Sequence, residues 1–89
     1  MKNFFTEIDG ITMTFNDMGK TEDGMEYIRI YFEKPVKDGF CFLESSLPLL
    51  NVVETEGFTE QEQKELLEYA SRNAFIIWEL AREGGVGVA

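Results

Sequence analysis

An 89-residue chain with eight Phe, one Trp and 44% hydrophobic residues can build one small core and no more. Its formal net charge of −9 repels nucleic-acid phosphates and anionic membranes, so direct binding to either is not expected. It has no histidine, which removes the commonest general base and metal ligand, and its one cysteine excludes an internal disulfide.

The expected organisation is a single domain over 1–89, with 86–89 a frayed tail. No apolar run approaches the 18 or so residues of a membrane span. Met1 to Glu7 lacks the apolar core of a signal peptide. With the lone Cys41, this makes the reducing cytoplasm the expected compartment.

Phe4 to Ile8 and Ile11 to Phe15 flank Asp9-Gly10, the strongest short-range signal for a type I′ hairpin. Two-residue closure pairs Ile8 with Ile11, Thr6 with Met13 and Phe4 with Phe15, which places all six on one mostly apolar face. Asn16 to Gly24 is a polar connection. Met25 to Glu33 alternates as a strand: Ile28, Ile30 and Phe32 point one way, and Tyr27, Arg29 and Tyr31 the other. Lys34 to Gly39 is expected to be a loop, because Pro35 cannot donate to a ladder. Phe40 to Ser45 is a fourth strand. With Phe40 opposite Phe32, Phe42 extends the core face, and Cys41 and Leu43 join Tyr27 and Tyr31 on the other. Leu47 to Val53 reads as irregular chain leading into a short strand near Asn51–Glu54.

Thr59 to Glu83 carries the clearest periodicity and is read as one amphipathic helix. Thr59 and Glu62 form a capping box, and Gly84-Gly85 ends the helix. Leu66, Ala70, Asn73, Ala74, Ile77, Leu80 and Ala81 share one side. Phe75 projects from the charged side, and Trp78 lies at the edge of the apolar arc. Twenty-five helical residues span roughly 37 Å, more than the ~20 Å of a small four-stranded sheet. The second half should therefore overhang, with Ile76, Ile77 and Trp78 covered by Leu47–Val53 or by a partner subunit. The fold class is α+β: an antiparallel sheet of about four strands, covered on one face by one long C-terminal helix.

No residue pattern here supplies catalysis. Cys41 lies in an apolar run with no histidine to activate it. Ser45, Ser46 and Ser71 lack a nucleophile-elbow context, and Gly84-Gly85-Val86-Gly87 follows a helix rather than opening one. The carboxylates have neither calcium-loop spacing nor the setting of a glycosidase pair. No catalytic, cofactor-binding or metal-ligating residue is expected.

Asp38-Gly39-Phe40-Cys41-Phe42, then Leu47-Pro48, then Glu56-Gly57-Phe58-Thr59-Glu60 resembles the HicB-type antitoxins over about half of the chain. In those proteins a strand pair leads through a Leu-Pro turn to a capped helix. This chain departs from them in having no strands after the helix and no DNA-binding segment. The matched residues are turn and cap chemistry, so no site residue is carried over.

The expected function is that of a non-enzymatic interaction module, binding a protein partner or a second copy of itself as a homodimer. Its candidate surfaces are Phe75 and Trp78 on the helix, or Tyr27, Tyr31 and Leu43 on the sheet. Large aromatics at the edge of an apolar patch are typical interface anchors. The alternative is an acidic inhibitor or nucleic-acid mimic, antitoxin-like or anti-defence, meeting a basic partner through Glu54, Glu56, Glu60 and Glu62. Seven acids and one base lie between Glu44 and Glu68, so −6 of the net −9 is concentrated there.

Overall fold

The computed structural model describes residues 2–83. The expected helix stop at Gly84-Gly85 and the tail at 86–89 lie outside them.

The chain is α+β. Six antiparallel strands are followed by two helices. They are β1 (Asn3–Ile8), β2 (Ile11–Phe15), β3 (Gly19–Lys20), β4 (Glu26–Val36), β5 (Gly39–Leu47), β6 (Glu54–Glu56), α1 (Glu60–Arg72) and α2 (Ala74–Arg82). The sheet order is β1-β2-β4-β5-β6, with the two-residue β3 pairing β4 beyond the end of β2. Apart from β3, each strand pairs with its neighbour in sequence, so the sheet is a meander. The two strands beyond the expected four are the shortest, β3 and β6, and β6 lies slightly later than expected.

The first hairpin closes at Asp9-Gly10, whose φ values of 52° and 80° are those of a type I′ turn. Ile8 pairs with Ile11 and Thr6 with Met13, as expected. A bulge then shifts the register, so that Phe4 pairs with Thr14 and Asn3 with Phe15. The expected Phe4–Phe15 pair is therefore corrected. Phe4 is exposed, while Phe5 packs edge-on to Phe15 with ring centroids 6.4 Å apart. The buried Asn3 is satisfied by donating to the Phe15 carbonyl at 3.2 Å and to Asp17 at 3.1 Å.

Strand β4 is longer than expected and continues through Pro35, leaving only Lys37-Asp38 as the turn into β5. This tight closure sets a different register from the one expected. Phe40 pairs with Pro35, Phe42 with Glu33, Leu43 with Phe32 and Ser45 with Ile30. The shift is an odd number of residues, so every β5 side chain exchanges faces. Leu43 and Leu47 enter the core, and Phe40 is left 62% exposed on the other side. Buried Ser45 donates its hydroxyl to the Asn51 carbonyl at 2.7 Å, which fastens the loop after β5 to the sheet.

One face of the sheet carries the core. Met13, Phe15, Ile28, Ile30, Phe32, Leu43 and Leu47 pack with Phe58, Ala70, Ile77 and Ala81 from the helical segment. The connection from β5 to β6 includes a cis Leu47–Pro48 bond. The order strand pair, Leu-Pro turn, capped helix is thus present.

The capping box forms as read. Glu62 N–H donates to the Thr59 hydroxyl at 3.1 Å, and Thr59 N–H donates to the Glu62 carboxylate at 2.8 Å. The single long helix is corrected: Asn73 divides it, with φ −107° and ψ 7°. Its side-chain amide donates to the Tyr69 carbonyl at 2.8 Å, and its own N–H meets the carbonyls of Tyr69 and Ala70. An Asn side chain that competes for a backbone carbonyl favours this kind of break. The two pieces, of 13 and 9 residues, are about 20 and 14 Å long, so neither needs to overrun the sheet as one straight rod would. Ala70 is buried from α1, and Ile77 and Ala81 from α2.

Candidate interaction surfaces

The outward face of α2 is the most apolar exposed helical surface among the described residues. Asn73 starts the helix in a phase that sends Ile77 and Ala81 inward. At ~100° per residue, Phe75 and Ile76 must then point away from the core. Phe75 is 74% exposed and Ile76 50%. Trp78 is half-buried against the core, with the Arg82 guanidinium 5.8 Å from its ring centroid. Phe75, Trp78, Arg82 and Glu26 line a shallow hollow of about 310 Å³. The structure therefore brings together the two helix residues singled out from the sequence. Leu47 and Leu50 of the Leu47–Val53 segment pack with the same core cluster as Ile77 and Trp78, while its Leu49, Val52 and Val53 are exposed and Phe75 and Ile76 stay uncovered.

The open sheet face is differently built. Tyr27 and Tyr31 lie on it, half-buried and engaged within the chain. The Tyr31 hydroxyl accepts from Asn16 at 2.9 Å, and the Lys2 ammonium sits 4.1 Å from its ring centroid. Tyr27 is stacked so closely on Gly19 that a Cβ there would lie 2.7 Å from the ring. Arg29 and Glu44 pair at 2.7 Å between the tyrosines. Leu43 does not belong to this surface. It is 1% exposed beneath the helices, because the tight turn at Lys37-Asp38 flips the strand. The residues that do extend the face are Phe4 and Phe40. Sequence reasoning misses both, since an assumed register assigns them to the core.

The four acidic candidates lie on two elements, Glu54 and Glu56 on β6 and Glu60 and Glu62 in the first turn of α1. Glu54 and Glu56 are exposed on β6, beside Glu44 and Phe42 on β5. Among the described residues neither of them, nor Glu60, makes a salt bridge. Glu62 is committed to its cap. The hydrogen bond from Thr59 N–H holds its carboxyl below the ordinary value, with Lys34 nearby adding a smaller effect in the same direction. Asp23 is held below its ordinary value mainly by the Thr21 hydroxyl.

A further depression, unforeseen from the sequence, lies between α1 and the first hairpin. It encloses about 340 Å³ over Ile11, Met13, Phe32 and Leu66, with Lys34, Arg72, Glu65 and Asp9 at its margin. Ile8 and Ile11 were the available signal, being apolar residues at a turn that the shorter α1 does not fully roof. Cys41 is half-buried under Gly57 and lines none of these depressions. Among the described residues no group of three or more acids or cysteines is placed to hold a metal ion, and no helix is long and apolar enough to cross a membrane. No family model, characterised protein or solved structure matches the chain.

Proposed function

We propose that this protein is a non-enzymatic interaction module that docks another polypeptide on the outward face of α2. One observation carries the reading: Phe75, 74% exposed, stands next to half-exposed Ile76 and beside half-buried Trp78. A large aromatic gains little by standing in water on an otherwise charged face, and contiguous exposed apolar groups are characteristic of docking surfaces. Replacing Phe75 and Ile76 together by Glu tests this. Both side chains are outside the core, so the variant should keep the wild-type circular dichroism and melting temperature. It should lose the complex that the wild type forms in the cell that makes it, read as elution volume on size exclusion. A complex unchanged in the folded variant would overturn the reading.

The second reading is an acidic inhibitor or nucleic-acid mimic. It is supported by Glu54 and Glu56, exposed, adjacent and free of salt bridges among the described residues. Such binding would weaken steeply with salt, whereas docking on Phe75 and Ile76 would be little screened. Titrating the complex with NaCl separates them.

A further inference from the structure

We propose that the depression between α1 and the first hairpin binds a small amphipathic carboxylate, its apolar chain laid over Ile11, Met13 and Phe32 and its carboxylate held at Lys34. The site is independent of the docking face on α2, which contributes none of its lining residues.

The hollow lies between two faces that the local structure dictates. Met13 and Phe32 are paired neighbours on the core face of the sheet, each 1% exposed. Ile11 lies two residues before Met13, and Lys34 two residues after Phe32, so both continue that face beyond the core. Opposite them α1 presents Leu66 and Tyr69, three residues apart and therefore on one side of the helix. Ile11, Leu66 and Tyr69 are only half-buried, and about 340 Å³ stands between the two faces. That is the small end of ligand-site volumes, which run from about 300 to 1,000 Å³. It suits one short chain rather than a helix or a strand.

Lys34 sets the sign of the ligand. A residue on the core face of a sheet is ordinarily apolar, or paired if it is charged. Lys34 is half-buried there and makes no salt bridge among the described residues. Arg72, at the same margin, reaches Glu68 only at 4.0 Å. The acids at the margin are engaged or exposed. Glu62 accepts from Thr59 N–H at 2.8 Å, Glu65 accepts from the Gln61 amide at 3.1 Å, and Asp9 is exposed in the hairpin turn. An apolar floor with a half-buried, unpaired ammonium at its rim is complementary to a hydrocarbon chain that ends in an anion.

Octanoate, 1-octanol and octylammonium have the same chain and differ in the charge of the head group. Each is titrated into the isotope-labelled full chain and followed by the backbone amide NMR signals. Octanoate should give saturable shifts at Ile11, Met13, Lys34, Leu66 and Tyr69, with a Kd on the order of 0.1–1 mM, as suits a ligand of so few atoms. It should bind about five- to tenfold more tightly than octanol, the gain of one charge-assisted hydrogen bond at a partly exposed site. Octylammonium should bind most weakly. The net charge of −9 attracts cations, so non-specific electrostatics would give the reverse order. Lys34→Gln should lower the octanoate affinity to that of octanol and leave octanol unchanged, and Arg72→Gln should lower it less. Octylammonium binding as tightly as octanoate, or octanoate binding unchanged in both variants, would overturn the proposal. An equal loss of octanol and octanoate in Lys34→Gln would overturn the role of the ammonium. Shifts centred on Phe75 and Ile76, or no saturation at about 10 mM, would overturn the site itself.

Discussion

Truncating Leu43 and Phe40 in parallel tests the β5 register, on which the assignment of every surface depends. Leu43 is 1% exposed, opposite Phe32 on one side and Thr55 on the other, whereas Phe40 is 62% exposed opposite Pro35. Leu43→Ala loses the transfer free energy of the deleted atoms and leaves a cavity walled by core residues, a combined cost of about 2–5 kcal/mol. A domain of this size is stable by roughly 5–13 kcal/mol in total. The loss is therefore a large share of what holds the fold, and should lower the melting temperature by something like 10–25 °C. Phe40→Ala removes a larger side chain, but one already mostly in water. Its buried third is worth on the order of 1–2 kcal/mol by area, and less once the compactness of the unfolded chain is counted. Urea unfolding followed by Trp78 fluorescence, with circular dichroism as a second probe, measures both. Leu43→Ala should be the more destabilising, by about 1 kcal/mol or more. The opposite order would refute the register and return Phe40 to the core.

Four other predictions concern local structure. Thr59→Ala removes the N-cap hydroxyl and should cost about 0.5–2 kcal/mol in urea unfolding. The Glu62 carboxyl lies below its ordinary value of 4.5 in the folded chain, so its contribution is present above that pH and is lost as pH falls through the lower folded value. Glu62→Gln should accordingly flatten the acid limb of a stability–pH curve and leave its shape near neutrality unchanged. Thr14→Val should be neutral or stabilising by about 1 kcal/mol, because the buried Thr14 hydroxyl has no hydrogen-bond partner among the described residues; a loss above that in thermal unfolding would show that the hydroxyl is satisfied. Gly57→Ala should destabilise by more than ~1 kcal/mol, since φ is +89° and a Cβ would meet Cys41 Sγ at 2.7 Å. Adding Cys41→Ala should recover only part of that loss, because the backbone strain remains.

What could be read from the sequence follows from how each element is specified. Asp9-Gly10 names its own turn type, the Ile28, Ile30, Phe32 alternation names its own face, and Thr59 with Glu62 names its own cap. Each is local and formed as expected. The β5 strand is not specified locally. Phe40-Cys41-Phe42-Leu43 is apolar at every position, so no alternation chooses a face, and the choice passes to the turn. Pro35 points to a loop, yet it sits within β4 opposite Phe40, which moves the turn to Lys37-Asp38 and reverses the strand. The bulge at Phe5 is equally invisible to pattern, since Phe4 and Phe5 are interchangeable by hydropathy. Asn73 lies on the apolar side of the helical wheel, and a helix-interior Asn on that side is itself a reason to expect a break. Of the candidate site residues, Phe75 and Trp78 depend only on helix phase near Ile77 and come together. Leu43 depends on the strand register and is lost with it.

The docking role of α2 is tested most directly by scanning a photocrosslinking side chain over exposed positions in the cell that makes the protein. Positions 75, 76 and 79 report on α2, position 40 on the open sheet face, and position 54 on the acidic strand. Docking on α2 predicts adducts of higher mass from 75 and 76, and none from 40 or 54. Adducts from 40 or 54 with none from 75 would contradict it, and would assign the interaction to the sheet face or to the acidic strand.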